Sequence, residues 1–249
     1  MASPEQIQKI KKLAKKGESV NKIKETLELP KSTVYYHFKK EVGQKQKEKA
    51  LKIPEDEEIK GELCGIFAGD GNFYKEKNQQ YRIRFYFNYH EKYWEVLADF
   101  LEEKLERRPR IYKYPHKGRV EFDYSSKPLY KLLKENLDWG TDKTESIRLK
   151  EDKDFCEDFQ RGFIRGLLDT DGHREKKFRR FIYGTISVSL RNNFSKILED
   201  FIIEHTNYKE EPEQEHWRTM HKLWISGDEA EIFQRKISPR NPKKQYREF

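Results

Sequence analysis

The feature that most constrains this chain is a segment that occurs twice. Gly61-Glu62-Leu63-Cys64-Gly65-Ile66-Phe67-Ala68-Gly69-Asp70-Gly71 aligns without gaps on Gly162-Phe163-Ile164-Arg165-Gly166-Leu167-Leu168-Asp169-Thr170-Asp171-Gly172, at an offset of 101 residues. Two glycines and the closing Asp-Gly coincide. The same offset carries Phe85 and Phe87 onto Ile186 and Val188. It carries Tyr93, Val96, Leu97, Phe100 and Leu101 onto Phe194, Ile197, Leu198, Phe201 and Ile202. Further on, Ser125 lands on Ser226 and Lys143 on Lys244. A motif, a strand-period pattern and a helix-period pattern at one spacing predict a duplicated lobe, spanning residues 58–150 and 157–249.

Each lobe reads in the same order. A helix ends at Asp-Gly, and two strands follow, 72–78 with 81–89 and 173–179 with 181–190. An amphipathic helix comes next (91–106 or 192–206), then two more strands, 110–115 with 118–125 and 208–213 with 217–226. A short helix closes the lobe at 127–137 or 228–236. The runs YRIRFYFNY and RVEFDY alternate in polarity, as half-buried antiparallel strands do. The predicted class is therefore α/β (α+β): two pseudo-symmetric αββαββα lobes with antiparallel sheets. One face of each sheet goes to the core. The other is expected to show Lys75, Arg82, Arg84, Lys113 and Arg119 in the first lobe, and Arg174, Lys176, Arg179 and Arg180 in the second.

Gly61, Gly65 and Gly69 recur every four residues, as do Gly162, Gly166 and Thr170. A glycine inside a helix costs about 0.5–1 kcal/mol against alanine, so a stripe of them needs a reason. Close approach of two helix backbones supplies one. If the two helices run side by side, Asp70 and Asp171 meet at their C-terminal ends. There each carboxylate opposes the helix dipole and repels the other. Cations relieve that arrangement, and an oxygen-led site with room for water suits Mg²⁺. Divalent ions beside a basic sheet suggest metal-assisted phosphodiester hydrolysis.

Both segments resemble the LAGLIDADG signature of homing endonucleases, as LCGIFAGDG (63–71) and IRGLLDTDG (164–172), and the resemblance covers residues 58–249. It implies a monomer with two motifs, a DNA-binding saddle of antiparallel sheets that reads the major groove of double-stranded DNA, and cleavage of both strands in intron homing. It puts Asp70 and Asp171 on the metal ions, with Gly69 and Thr170 beside them in the metal site, Mg²⁺ as cofactor and Mn²⁺ or Ca²⁺ as substitutes for binding. It assigns Lys143 and Lys244 to the active centre as basic residues after each closing helix. Asn88 and Lys92, with Ser189 and Asn193 opposite, would hold site water near the end of each second strand. Motif one departs from the family at Ala68, where Asp169 supplies an acid in motif two; that acid reads as structural. The alternatives carried by the same resemblance are a non-catalytic transcription regulator and an RNA maturase. Neither a phosphate loop nor a calcium loop fits, because the Gly-Lys-Ser/Thr of the first and the third acid and closing Glu of the second are missing.

Charge locates a separate head. Residues 1–52 hold 14 Lys and 6 Glu with no Arg or Asp, so this stretch alone accounts for the net charge of +8. Glu5–Lys16 reads as a helix. A second, capped by Ser19, carries Val20, Ile23 and Leu27. After Leu29-Pro30, Ser32 is expected to cap a third, Thr33–Lys40. The string 19–37 resembles the helix-turn-helix of resolvase-like and regulator DNA-binding domains, and a domain of that kind is expected over residues 1–42. In that geometry the third helix enters the major groove, with Lys31, Ser32, Thr33, Tyr36 and His37 facing DNA and Lys39 and Lys40 on phosphates. The alternative is a three-helix protein-contact module. Residues 43–57 read as a linker. With 39% charged residues and no apolar run of about 18, no membrane span is expected. Two cysteines cannot build a disulfide framework, and the setting expected is cytoplasmic and nucleoid-associated. His173 reads as solvent-facing, His216 and His221 as no metal pair, and Trp94, Trp139, Trp217 and Trp224 as core.

Overall fold

The computed structural model describes residues 2–42, 51–75, 81–212, 214 and 218–245; the side chains of Val42 and Lys75 and all of His216 and Trp217 lie outside the described residues. The chain divides into two compact units, Met1–Lys49 and Ala50–Phe249.

The first unit holds three helices: α1 (Pro4–Lys15), α2 (Val20–Leu27) and α3 (Lys31–Val42). Ser3 and Gln6 close a capping box on α1, and Ser19 accepts from Lys22 N on α2. Ile10, Ala14, Ile23 and Val34 form its core. Ser32 is not the cap of α3. The helix starts at Lys31, and the carbonyl of Pro30 accepts from Thr33 N and Val34 N, leaving Ser32 exposed in the first turn. Pro30 fixes the entry in its place, since proline presets φ for a turn.

In the second unit, the first lobe runs α4 (Glu57–Asp70), β1 (Gly71–Lys75), β2 (Tyr81–Asn88), α5 (Tyr93–Leu105), β3 (Arg110–Tyr114), β4 (Arg119–Ser125) and α6 (Lys127–Asn136). A two-residue strand pair, β5 (Leu137–Asp138) with β6 (Arg148–Leu149), brackets the short α7 (Lys143–Ser146). The second lobe repeats the order: α8 (Glu157–Asp171), β7 (Gly172–Glu175), β8 (Arg180–Thr185), α9 (Val188–Asp200), β9 (Thr206–Glu210), β10 (Met220–Ser226) and α10 (Asp228–Ile237). Both sheets are antiparallel with the same strand order, β1-β2-β4-β3 and β7-β8-β10-β9. Alternation does what the sequence demanded of it: Ile83, Phe85 and Phe87 are buried while Arg82, Arg84 and Tyr86 point the other way. The stretch expected as a linker splits. Residues 43–50 lie outside the described residues, whereas Leu51 joins the core of the body and Lys52 N donates to Leu105 O.

The two repeat helices lie parallel and in contact along the glycine stripe. A Cβ added at Gly61 would overlap the carbonyl oxygen of Phe159, and one at Gly65 the carbonyl oxygen of Phe163. Reciprocally, Gly162 faces the carbonyl of Glu58 and Gly166 that of Glu62. Partner numbers rise together along both helices, which makes them parallel and brings their C-termini side by side.

One expectation is corrected. The offset of 101 does not hold across the middle of the lobe. Phe85 pairs with Gly71, but Tyr183 pairs with Gly172, an offset of 98. The buried set Leu97, Ala98, Phe100 and Leu101 matches Phe194, Ser195, Ile197 and Leu198, an offset of 97. So Ile186 and Val188 are not counterparts of Phe85 and Phe87; β8 has ended before them and Val188 opens α9. A slip of four residues is about one helical turn, so the apolar pattern fits nearly as well at the wrong offset. Phe122 opposite Phe85 and Leu223 opposite Tyr183 show that 101 is restored by β10.

Candidate metal centre and nucleic-acid face

Asp70 and Asp171 are the last residues of α4 and α8. Because the helices touch along their length, the two acids converge. An added Cβ at Gly69 would stand 2.9 Å from Asp171 Oδ2 and overlap the Thr170 hydroxyl. Thr170 keeps its own hydroxyl turned back on its helix, donating to Gly166 O at 3.0 Å.

Each helix end is closed by a lysine from its own lobe. Lys143 Nζ donates to Phe67 O and Ala68 O, both at 2.8 Å, and to Gly69 O at 3.2 Å. Lys244 Nζ donates to Leu168 O at 2.6 Å, Asp169 O at 2.9 Å and Thr170 O at 3.4 Å. The two sets of acceptors are related by the same 101 residues as the lysines. Free carbonyls at a helix C-terminus attract a cation for two reasons, unmet hydrogen bonds and the dipole.

The electrostatics of this cluster are unrelieved. Burial, and then the neighbouring Asp171, push the Asp70 carboxyl up to about 7, against the pull of Lys244 and Lys143; Glu91 adds to the rise. Burial also raises Asp171 above the ordinary carboxylate range, with Lys143 and Lys244 opposing. The Asp171 side chain nevertheless opens to solvent. Lys143 is lowered by burial to about 8, and Lys244 is lowered by burial as well. Two acids raised by burial, beside two partly desolvated amines, form a site whose free energy improves when a dication enters.

A pH dependence follows. A carboxyl with a raised folded pKa favours the protonated state, so its contribution is best below the unfolded value of 3.8 and is lost as pH rises to about 7. For Asp70 that loss amounts to at most about 4 kcal/mol. Thermal unfolding of the metal-free protein is expected at a lower temperature at pH 8 than at pH 6. Added Mg²⁺ is expected to raise Tm more at pH 8; an equal rise at both values would contradict this.

Asp169, the acid that motif one lacks, is buried and accepts from Arg240 N at 2.9 Å and Asn241 N at 3.1 Å. It clips the segment that delivers Lys244. Burial raises its carboxyl to about 7. Behind it the helix interface hides an ionic network that sequence reasoning missed. Glu62 is fully buried and bonded to Arg165 at 3.1 Å and to Arg240. Arg165 also reaches Glu58 and donates to Ile237 O. The available signal was two charged residues, Glu62 and Arg165, inside otherwise apolar motifs.

The remaining site residues divide. Asn88 is exposed at the end of β2, and its Oδ1 accepts from His90 N at 2.9 Å. Lys92 is exposed just before α5. Ser189 does not occupy the corresponding place: it lies in the first turn of α9, because β8 is shorter than the repeat implied. Asn193 Oδ1 is taken by Leu149 N at 2.9 Å. Glu91, not anticipated, bonds Lys243 at 3.1 Å and faces Asp70 and Lys244. Nothing in its local sequence sets it apart from the other acids of the 91–106 segment.

On the sheet face turned away from the helices, Arg82, Arg84 and Arg119 stand where expected, but each is ion-paired. Arg82 and Arg84 share Asp123, which is fully buried under them, and Arg119 bonds Glu121 at 2.7 Å. Arg84 lies over Tyr74, and Arg119 over Tyr86 and Tyr114. Lys113 is corrected. It pairs in register with the buried Val120, on the helix side, and its ammonium sits 4.4 Å from the Trp94 ring. Arg174 is corrected likewise: it pairs with the buried Phe181 and donates to Gln245 O. Strand alternation assigns a face only once the partner residue is known. Arg180 does lie on the outer face, bonded to Glu175 at 3.2 Å and stacked on Trp224, which is therefore not a core residue. Lys176 and Arg179 form the tip of the β7–β8 hairpin, and His173 is exposed on β7. The side chain of Lys75 lies outside the described residues. In the first unit, Lys31, Ser32, Tyr36 and Lys40 are exposed along α3, with Thr33, His37 and Lys39 partly so. Substituting Lys113→Ala is expected to leave duplex affinity unchanged, while Arg119→Ala weakens it about three- to tenfold in a salt-dependent titration.

Paired helices carrying a glycine stripe, terminal acids that converge, and one antiparallel sheet per lobe define the LAGLIDADG type of fold. Residues 158–238, within the second lobe, match the family model described as LAGLIDADG-like domain. The fold is similar to mesophilic variants of the homing endonuclease I-DmoI, with 20% identity and a TM-score of 0.50 over 73% of this chain and 95% of that one. An I-DmoI variant in complex with its target DNA nicked in the coding strand, in the presence of manganese, matches with the same identity, coverage and TM-score. Full-length DUF199/WhiA from Thermatoga maritima matches at 15% identity and a TM-score of 0.52, over 76% of this chain and 58% of that one. No curated protein matches the chain. No helix among the described residues is long and apolar enough to cross a membrane.

Proposed function

We propose that this chain is a site-specific endonuclease of double-stranded DNA that hydrolyses phosphodiesters with divalent ions. The observation that carries the reading is the convergence of Asp70 and Asp171 at adjacent helix ends, each raised in pKa and each backed by a lysine. The donor set fits Mg²⁺: two hard carboxylates at adjacent helix ends, with Gly69 and Thr170 beside them, and an opening to solvent at Asp171. Asp70 and Asp171 would hold the ion, with Mn²⁺ or Ca²⁺ as substitutes. When bound, a divalent ion stabilises charge on the scissile phosphate and makes the attacking water more acidic.

The protein's own groups supply the rest. Lys143 and Lys244 neutralise the two helix ends, so that four negative poles do not meet at one point. They also hold the backbone of both acids in place. Glu91 and Lys243 flank the centre as an ion pair. The sheets of both lobes present Arg82, Arg84, Arg119 and Arg180 among aromatic rings, a surface for the phosphates and base edges of the major groove. The structure of the I-DmoI variant on nicked target DNA supports a duplex as partner. The monomer, with one centre built from both lobes, is the unit of action, and an intracellular, DNA-associated setting agrees with it. The first unit adds a second DNA contact through α3 as a helix-turn-helix, and its tethering raises local concentration on the target.

The test is nicking of plasmid libraries with Mg²⁺ and with chelator, comparing wild type with Asp70→Asn and Asp171→Asn. Metal-dependent cutting by wild type alone supports the reading. Tight, salt-sensitive duplex binding with no cutting would instead make the chain a DNA-binding regulator, and preference for folded intron RNA a maturase.

A further inference from the structure

The two lobes differ at one equivalent position in a way their shared order does not require. In the first lobe Phe73 on β1 stacks on Tyr130 of α6 at 4.6 Å, and Tyr81 packs against Tyr130 in a tilted arrangement at the same distance. These rings fill the space between the outer strand and the closing helix. At the offset of 101, Phe73 becomes Arg174 and Tyr130 becomes Glu231. The aromatic filling is lost, and a cavity of about 1220 Å³ opens there, lined by residues of the β7–β8 hairpin, α10, the 241–245 segment and the β2–α5 connection.

The lining is strongly basic. Lys92, Arg174, Lys176, Arg179, Arg235 and Lys243 contribute six cationic side chains against the single acid Glu231. Part of this charge is answered locally: Arg179 pairs with Glu231, Lys243 with Glu91, and Arg174 donates to a main-chain carbonyl. The net charge of the walls remains strongly positive. Beyond these ion pairs, cations gathered from separate segments of the chain still repel one another, which a protein tolerates where an anion enters. The cavity is also distinct from the outer sheet faces, because Arg174 pairs with buried Phe181 on the helix side. Its volume exceeds the usual small-molecule pocket of about 300–1000 Å³, which suits an extended ligand bearing several charges.

We infer that this cavity is a binding site for a phosphate-bearing ligand carrying several phosphate groups, separate from the duplex-reading sheets. Two sources share that chemistry: a length of nucleic-acid backbone and a free polyphosphate. The site does not require that the chain cuts DNA.

The experiment is calorimetric titration of the full chain with inorganic tripolyphosphate, repeated in the presence of a short random-sequence DNA duplex. Wild type is expected to show one saturable site. Arg235→Glu, on the exposed last turn of α10, should weaken it at least tenfold. The double variant Arg174→Phe with Glu231→Tyr, which copies the Phe73–Tyr130 stack, should abolish it. Displacement of tripolyphosphate by duplex in wild type identifies the ligand as nucleic-acid backbone; simultaneous binding of both identifies a free polyphosphate. Absence of saturable binding in wild type, or binding unchanged in Arg235→Glu, overturns the inference. Asp70→Asn keeps the two readings apart: it should lose cleavage and keep tripolyphosphate.

Discussion

Replacing Asp171 by asparagine is expected to abolish divalent-dependent cleavage, by at least about 10³-fold, while the metal-free protein becomes more stable. The first effect follows from the ligand set. A carboxylate shared at the junction of two helices contributes several kcal/mol of charge stabilisation in the transition state, and every 1.36 kcal/mol is tenfold in rate. The second effect has the opposite sign because the metal-free site is strained. Asp171 helps to push Asp70 up to about 7, so removing its charge lets Asp70 ionise more easily. Above pH 7 the gain should be on the order of 1 kcal/mol, seen as a higher Tm in chelator. Duplex affinity in Ca²⁺-free buffer should change little or improve, since a negative charge near phosphate has gone. Loss of stability together with loss of activity would show that Asp171 supports the fold instead of the chemistry.

Substitution of Gly65 by alanine should cost more stability than any surface change in the protein, about 3 kcal/mol or more by urea unfolding. Two effects compete. Alanine is the better helix former by about 0.5–1 kcal/mol. Against this, the new methyl would overlap the carbonyl oxygen of Phe163 and stand 3.0 Å from Gly166 Cα and from Leu167 N. These are backbone atoms of a packed helix, so they cannot swing aside as a side chain would. The helices must separate, and Asp70 then moves away from Asp171. Cleavage should therefore fall with stability. Gly140→Ala is the control: its nearest neighbour would be Ser146 Oγ at 3.4 Å, and little change is expected.

Much of the site was legible because its chemistry is local. The Asp-Gly stops, the four-residue glycine spacing and the paired lysines all survive as short strings. Lys143 and Lys244 show how far this reaches, since a 101-residue offset in sequence became matching hydrogen bonds on Phe67–Gly69 and Leu168–Thr170. The failures share a cause. Periodicity reports a repeat length but not a register, so the pattern around Phe194 could slide by one helical turn unnoticed. Ser189 was misplaced for that reason. Lys113 and Arg174 were assigned to the wrong face because a strand's alternation is symmetric until one pairing, with Val120 or Phe181, breaks the tie.

The sequence by itself determined that there are two lobes, that a glycine-faced helix joins them, and that two acids end those helices, because these depend on residue type at fixed short spacing. Only the tertiary structure decided how Glu62, Arg165 and Arg240 bury their charges together, how Asp123 pins Arg82 and Arg84, and where lost aromatic rings leave a basic cavity. Those features join residues far apart along the chain, and their free energies arise from burial and Coulomb terms that exist only once the chain has folded.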